Sequence, residues 1–159
     1  GNSDLMVATR LGKSIRFNES GVRSMGRTAR GVRAIKLAEG DEVIGMIVAK
    51  DGDRVLTVTE TGFGRISEIS DYRVQSRGGK GLINYKVAKY GNVAAVISPN
   101  EDDDLIMISS SGIIIRIHLG ELNVYRRPGK GVKVMRIDEG AKLLTVVATP
   151  HDENEITSR

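Results

Sequence analysis

The chain has 159 residues, with 24 Lys and Arg set against 20 Asp and Glu, for a net charge of +4. It has no cysteine, which excludes a disulfide framework or a thiolate metal site and makes a reducing, cytoplasmic setting the expectation. Its apolar runs are only a few residues long, too short to cross a bilayer as helices, so no membrane partner is expected.

Taken in chain order, residues 5–9 and 14–17 are two short apolar and β-branched runs around a turn at Gly12, the pattern of a β-hairpin. A basic phrase follows, Arg27-Thr28-Ala29-Arg30-Gly31, then a third strand over residues 32–37. An acidic turn at Glu39-Gly40-Asp41-Glu42 leads to a fourth, almost wholly apolar strand over 43–49. The same order recurs with strands at 55–59 and 65–69 around Gly62, the phrase Arg77-Gly78-Gly79-Lys80-Gly81, a strand at 82–87, a turn at 89–92 and a strand at 93–98. It recurs again with strands at 105–109 and 113–119 around Gly112, the phrase Arg127-Pro128-Gly129-Lys130-Gly131, a strand at 132–137, a turn at 138–140 and a strand at 143–148.

Gly12, Gly62 and Gly112 stand 50 residues apart, as do Gly31, Gly81 and Gly131, so the chain is a threefold repeat without insertion or deletion. A period of that size marks units that bury their apolar faces only against their neighbours. No window offers a capped amphipathic helix, and the expected fold is all-β: three four-stranded blades of a β-propeller type, at 4–50, 51–100 and 101–150, with a polar tail at 151–159. The apolar fourth strands suggest sheets buried on both faces. Three blades form a partial ring, since closed rings have about four to eight.

Charge is sorted by phase. Residues 10–36, 65–89 and 113–136 hold 20 of the 24 cations and 4 of the 20 acids. Three basic patches at one phase of a repeat predict a basic face and an anionic partner. The candidate contacts are Arg27, Arg30, Arg33 and Lys36 in the first copy, Arg73, Arg77, Gly78, Gly79, Lys80 and Lys86 in the second, and Arg126, Arg127, Lys130, Lys133 and Arg136 in the third. Glycines between cations let backbone N–H groups approach a phosphate while the cations release counterions, which is the chemistry of a phosphate-backbone reader. Only six aromatic residues occur, and they are not interleaved with the cations, so double-stranded DNA is the expected partner ahead of single strands. Solvated basic turns and a protein-interaction propeller that takes an acidic surface are the alternatives.

Other motifs give no chemistry. His118 lies alone in an apolar strand and reads as a packed or rim histidine, and His151 falls in the tail. Glu101-Asp102-Asp103-Asp104 lacks the spacing of a calcium loop and reads as an acidic inter-strand loop. Tyr72 and Tyr125 read as packing residues, the Walker spacing is missing, and no nucleophile, base and acid converge, so no catalytic residue, cofactor or metal is assigned.

The runs Gly26-Arg27-Thr28-Ala29-Arg30-Gly31-Val32-Arg33-Ala34-Ile35-Lys36-Leu37, Thr59-Glu60-Thr61-Gly62-Phe63-Gly64-Arg65 and Gln75-Ser76-Arg77-Gly78-Gly79-Lys80-Gly81 resemble the C-terminal domain of the bacterial DNA gyrase A protein, over about residues 4 to 150. The resemblance implies a β-pinwheel, a propeller variant whose blades exchange strands, and a basic outer rim that wraps duplex DNA in support of negative supercoiling. It implies the rest of gyrase A, together with gyrase B, as partners, with ATP and Mg used elsewhere in the holoenzyme. Gln75 to Gly81 differs from the family's hallmark box at Ser76, where the box has Arg. The related C-terminal domain of topoisomerase IV shares this architecture.

Overall fold

The computed structural model describes residues 3–18, 35–75, 78–121 and 132–151. The three expected hairpins form, as β1 (Asp4–Thr9) with β2 (Lys13–Asn18), β4 (Arg54–Thr59) with β5 (Phe63–Glu68), and β8 (Asp103–Ser109) with β9 (Ile114–His118). On the inner side of each hairpin lies an apolar strand: β3 (Val43–Ala49), β7 (Val93–Ile97) and β11 (Leu143–Pro150). Two short strands, β6 (Leu82–Ile83) and β10 (Val132–Lys133), complete the set, with a single helical turn α1 (Val87–Tyr90) after β6.

The sheets run β3-β1-β2-β6, β10-β5-β4-β7 and β11-β8-β9, with antiparallel pairing within each. This corrects the expectation that four consecutive strands make a blade. The third strand of a repeat leaves its own hairpin and pairs with that of the preceding repeat: β6 joins β2, and β10 joins β5. These strands are also shorter than expected, two residues each, and residues 35–37 form none, while 32–34 lie outside the described residues.

The hairpin glycines explain the exchange. Gly12 has φ +90°, and its carbonyl accepts from Asn84 N–H (2.6 Å) and Tyr85 N–H (3.1 Å) of the incoming strand. Gly62, at φ +93°, receives Val134 N–H (2.8 Å) and Met135 N–H (3.3 Å) in the same way. A Cβ at either glycine would run into the carbonyl oxygen of Tyr85 or Met135, so these two glycines answer both a left-handed turn and a close backbone approach.

The core lies between blades. Met6, Ala8, Ile47 and Ala49 of the first blade meet Val55, Ile69, Tyr72, Tyr85, Val93 and Val96. Leu56, Val58, Ile66 and Ala95 on the other face of the second blade meet Leu105, Met107, Leu143 and Val146 of the third. Of the three apolar inner strands, β7 is thus the one flanked on both sides among the described residues. On β3, Val43, Met46 and Val48 are exposed, and on β11 Leu144 and Val147 are, so burial on both faces does not hold for those two strands. Their second faces have no neighbouring blade among the described residues.

Candidate nucleic-acid interface

Among the described cations of the three basic segments, two groups differ in what they touch. Arg16 binds Asp4 (Nη2 to Oδ2, 2.9 Å) and caps the carbonyls of Ile69 and Tyr72. Arg10 lies between Glu42 and Glu60, and Arg116 is held by Asp104 (2.8 Å). Arg65 is 1% exposed and lies in a buried network: Nε donates to Ser67 Oγ (2.9 Å), Nη2 to Asn84 Oδ1 (2.8 Å), and the guanidinium stacks 4.9 Å from the Tyr85 ring centre. All four lie on the hairpin strands or their turns, where they join elements.

The candidate contacts form the other group. Lys36, Arg73, Lys80, Lys86, Lys133 and Arg136 are all exposed, and among the described residues none forms an ion pair. Their places follow from the strand exchange. Lys80 and Lys86 flank β6, the outermost strand of the first sheet, and Lys133 lies on β10, the outermost strand of the second, 5.7 Å over the Phe63 ring, with Arg136 after it. Lys36 N–H donates to Gly79 O (2.7 Å), so Lys36 lies against the second basic phrase. Arg73 precedes Val74, which bridges β2 at Arg16. Gly78 and Gly81 have φ of +88° and +78° on either side of Lys80, and a Cβ at Gly81 would meet Ser14 O and Ile35 of the first blade. Among the described residues these cations are thus without an ion pair, with Lys80, Lys86, Lys133 and Arg136 on or beside the edge strands β6 and β10, where the backbone approaches the preceding blade closely. Arg27, Arg30, Arg33, Arg77, Arg126, Arg127 and Lys130 lie outside the described residues.

The sequence profile of the family described as "DNA gyrase C-terminal domain, beta-propeller" matches three times, over residues 3–50, 53–100 and 103–150. The chain belongs to this family. The DNA gyrase A protein of Staphylococcus epidermidis is 48% identical over 80 residues, 49% of this chain and 9% of that protein. The gyrase A protein of Haloquadratum walsbyi is 52% identical over 79 residues, 48% of this chain and again 9% of the relative. The match to these gyrase proteins is therefore a small part of their length. In fold, the chain superposes on a structure of the DNA gyrase A C-terminal domain with a TM-score of 0.77 at 24% identity, over 92% of this chain and 50% of that one. It superposes on the C-terminal domain of DNA topoisomerase IV with a TM-score of 0.81 at 19% identity, over 94% and 47%. The strand exchange at β6 and β10 is the pinwheel arrangement that the gyrase resemblance implies.

Two sets of residues escaped the sequence reading. The Arg65, Ser67, Tyr72, Asn84 and Thr57 network is one, and its only sequence signal is polar residues at phases that are apolar in the other copies. The other is Asp104 with His118 and His151. Asp103 and Asp104 begin β8 and are buried, which corrects the reading of Glu101 to Asp104 as an inter-strand loop.

Proposed function

We propose that the chain binds and bends duplex DNA as a non-catalytic module of DNA gyrase A. The observation that carries this reading is the set of exposed cations Lys36, Arg73, Lys80, Lys86, Lys133 and Arg136, without an ion pair among the described residues, four of them on or beside the edge strands β6 and β10 and all within the recurring basic segments. Cations held in ion pairs contribute little counterion release, whereas free ones are available to neutralise phosphates of the duplex. Arg27, Arg30, Arg33, Arg77, Arg126, Arg127 and Lys130 fall in the same three basic segments of the sequence. The profile match and the gyrase A relatives, 48% and 52% identical, favour gyrase over topoisomerase IV, to which the likeness is one of fold. On this reading the remainder of gyrase A, together with gyrase B, supplies the partners, in the cytoplasm. ATP and Mg serve the holoenzyme, and the wrapping segment needs no cofactor of its own.

A duplex titration at two salt concentrations tests the proposal. Log affinity should fall with log salt at a slope of about −0.9 per phosphate neutralised, which for about 6–10 contacts means a loss of about 10³–10⁵ between roughly 50 and 200 mM. Binding that ignores salt, or no binding, defeats it. Bending separates wrapping from adhesion: curving a site of about 20–30 base pairs by about 40–90° costs about 1–6 kcal/mol, so a pre-bent duplex should bind more tightly than a straight one.

A further inference from the structure

The third blade gathers three metal-type donors that lie far apart in sequence. Asp104 is near the start of the central strand β8, His118 ends the edge strand β9, and His151 follows β11 on the other side. The registers Asp104↔His118 and Asp103↔Pro150 bring all three to one corner of the sheet. Asp104 Oδ1 lies 3.0 Å from His118 Nδ1 and 2.8 Å from His151 Nδ1, and the two imidazole centres are 4.5 Å apart. The other oxygen, Oδ2, accepts from Arg116 Nε at 2.8 Å.

The repeat supplies its own control. One hundred residues earlier, Asp4 accepts Arg16 Nε at Oδ2 (2.9 Å) and Asn18 Nδ2 at Oδ1 (3.1 Å). The Asp–Arg pair with one further donor is therefore how the first blade closes the end of its hairpin, where the second uses Arg54 with Glu68. The third blade keeps the Asp–Arg pair, exchanges the amide for an imidazole, and adds a second imidazole from beyond β11. One amide satisfies Oδ1 in the first blade, so two imidazoles converging on the same oxygen exceed what the hairpin requires.

We propose that Asp104, His118 and His151 form a binding site for a late first-row divalent cation, zinc foremost, with a fourth position left to water. Two imidazole nitrogens and one carboxylate oxygen suit zinc and its neighbours, and are too few oxygens for calcium or magnesium. The three ligand atoms lie within 4.8 Å of one another. Tetrahedral zinc with bonds of about 2.0–2.1 Å needs its donors about 3.3–3.4 Å apart, so entry requires shifts of the order of an ångström or less. Each imidazole would carry its proton on Nε2 and present Nδ1 to the ion. Arg116 on the outer oxygen acts as an orienting partner of the kind that ligating carboxylates take. The imidazoles are 33% and 24% exposed, which gives the ion a path from solvent. A bound cation would tie the end of β11 to β9 across the whole sheet.

Cobalt and zinc titrations of the whole 159-residue chain, stripped beforehand with a chelator, test this. One equivalent of cobalt should give the intense visible absorption of a four-coordinate ion, which zinc then displaces. Zinc held at about 100 times its Kd should raise Tm by about 5–10 °C. The variant His118→Asn recreates the first-blade arrangement and should melt, without metal, like the parent. Both it and His151→Ala should lose affinity by more than the about 10–100-fold that even an outer-shell change costs. Cobalt binding that is six-coordinate, or equal in parent and variants, or absent at micromolar metal, overturns the site.

Discussion

At the junction between the first two blades, Thr57, Arg65, Ser67 and Asn84 form a buried hydrogen-bonded set, while fifty residues on, between the second and third blades, the same places hold Met107, Ile115, Ile117 and Val134. The backbone step is the same, since Asn84 N–H and Val134 N–H donate to Gly12 O and Gly62 O respectively. Apolar filling at the second junction stabilises through burial and has no preferred direction. The polar filling is satisfied in only one arrangement. Asn84 accepts from Arg65 and from Tyr72 Oη (2.6 Å) and donates to Thr57 Oγ1 (3.1 Å), so its side chain fixes the strand whose backbone crosses to the first blade. Arg65 Nη1 has no hydrogen-bond partner among the described residues, a cost that the stacking on Tyr85 partly offsets. The first junction therefore trades stability for register, and the second does the reverse.

The largest effect is expected at the apolar junction. Leu105→Ala, at a position wholly buried between blades, should cost about 2–5 kcal/mol, read as a lower urea midpoint with an unchanged slope. Asn84→Ala should cost about 1–3 kcal/mol by leaving Thr57, Arg65 and Tyr72 short of a partner; no loss would show the network to be idle. A transplant sharpens the contrast. Thr57→Met, Arg65→Ile and Asn84→Val together give the first junction the residues of the second, and should leave stability unchanged or raise it by up to about 4 kcal/mol, because apolar replacements of buried charged sets are often neutral or favourable. Amide exchange at Leu82 and Ile83 should nevertheless accelerate as register loosens, and unchanged protection there would remove the specificity argument. The smallest effect on folding belongs to the outer edge. Lys36→Ala with Lys80→Ala should move stability by no more than about 0.5 kcal/mol. It should make the salt dependence of duplex binding shallower by about 0.9 for each phosphate no longer neutralised, and an unaltered slope would take both lysines out of the interface.

Much of this was legible in the residues. The hairpins at Gly12, Gly62 and Gly112 follow from β-branched runs around turn glycines, and the inner strand over Val43–Ala49 was placed to the residue. The exposed cations at Lys36, Lys86 and Arg136 were visible as recurrences of one phase, and Lys80 as one of another with Arg30 and Lys130. The partner of β6 was not visible, because a two-residue strand carries no pattern that names the hairpin it joins. Arg65 lay in a basic block and gave no local sign of burial; only the pairing Thr57↔Arg65 turns it to the face beside Asn84. Asp104 and His151 are 47 residues apart, and the β8–β11 register joins them.

The period, the strand type and the sorting of charge were thus determined by the sequence alone, because each depends on residue identity at fixed spacing along the chain. Which repeat completes which sheet, which arginines are consumed inside the structure, and which distant donors share a corner were decided only in the tertiary structure. Those depend on pairing between segments whose separation in sequence leaves no local trace, and on burial that a residue acquires only once its neighbouring blade is in place.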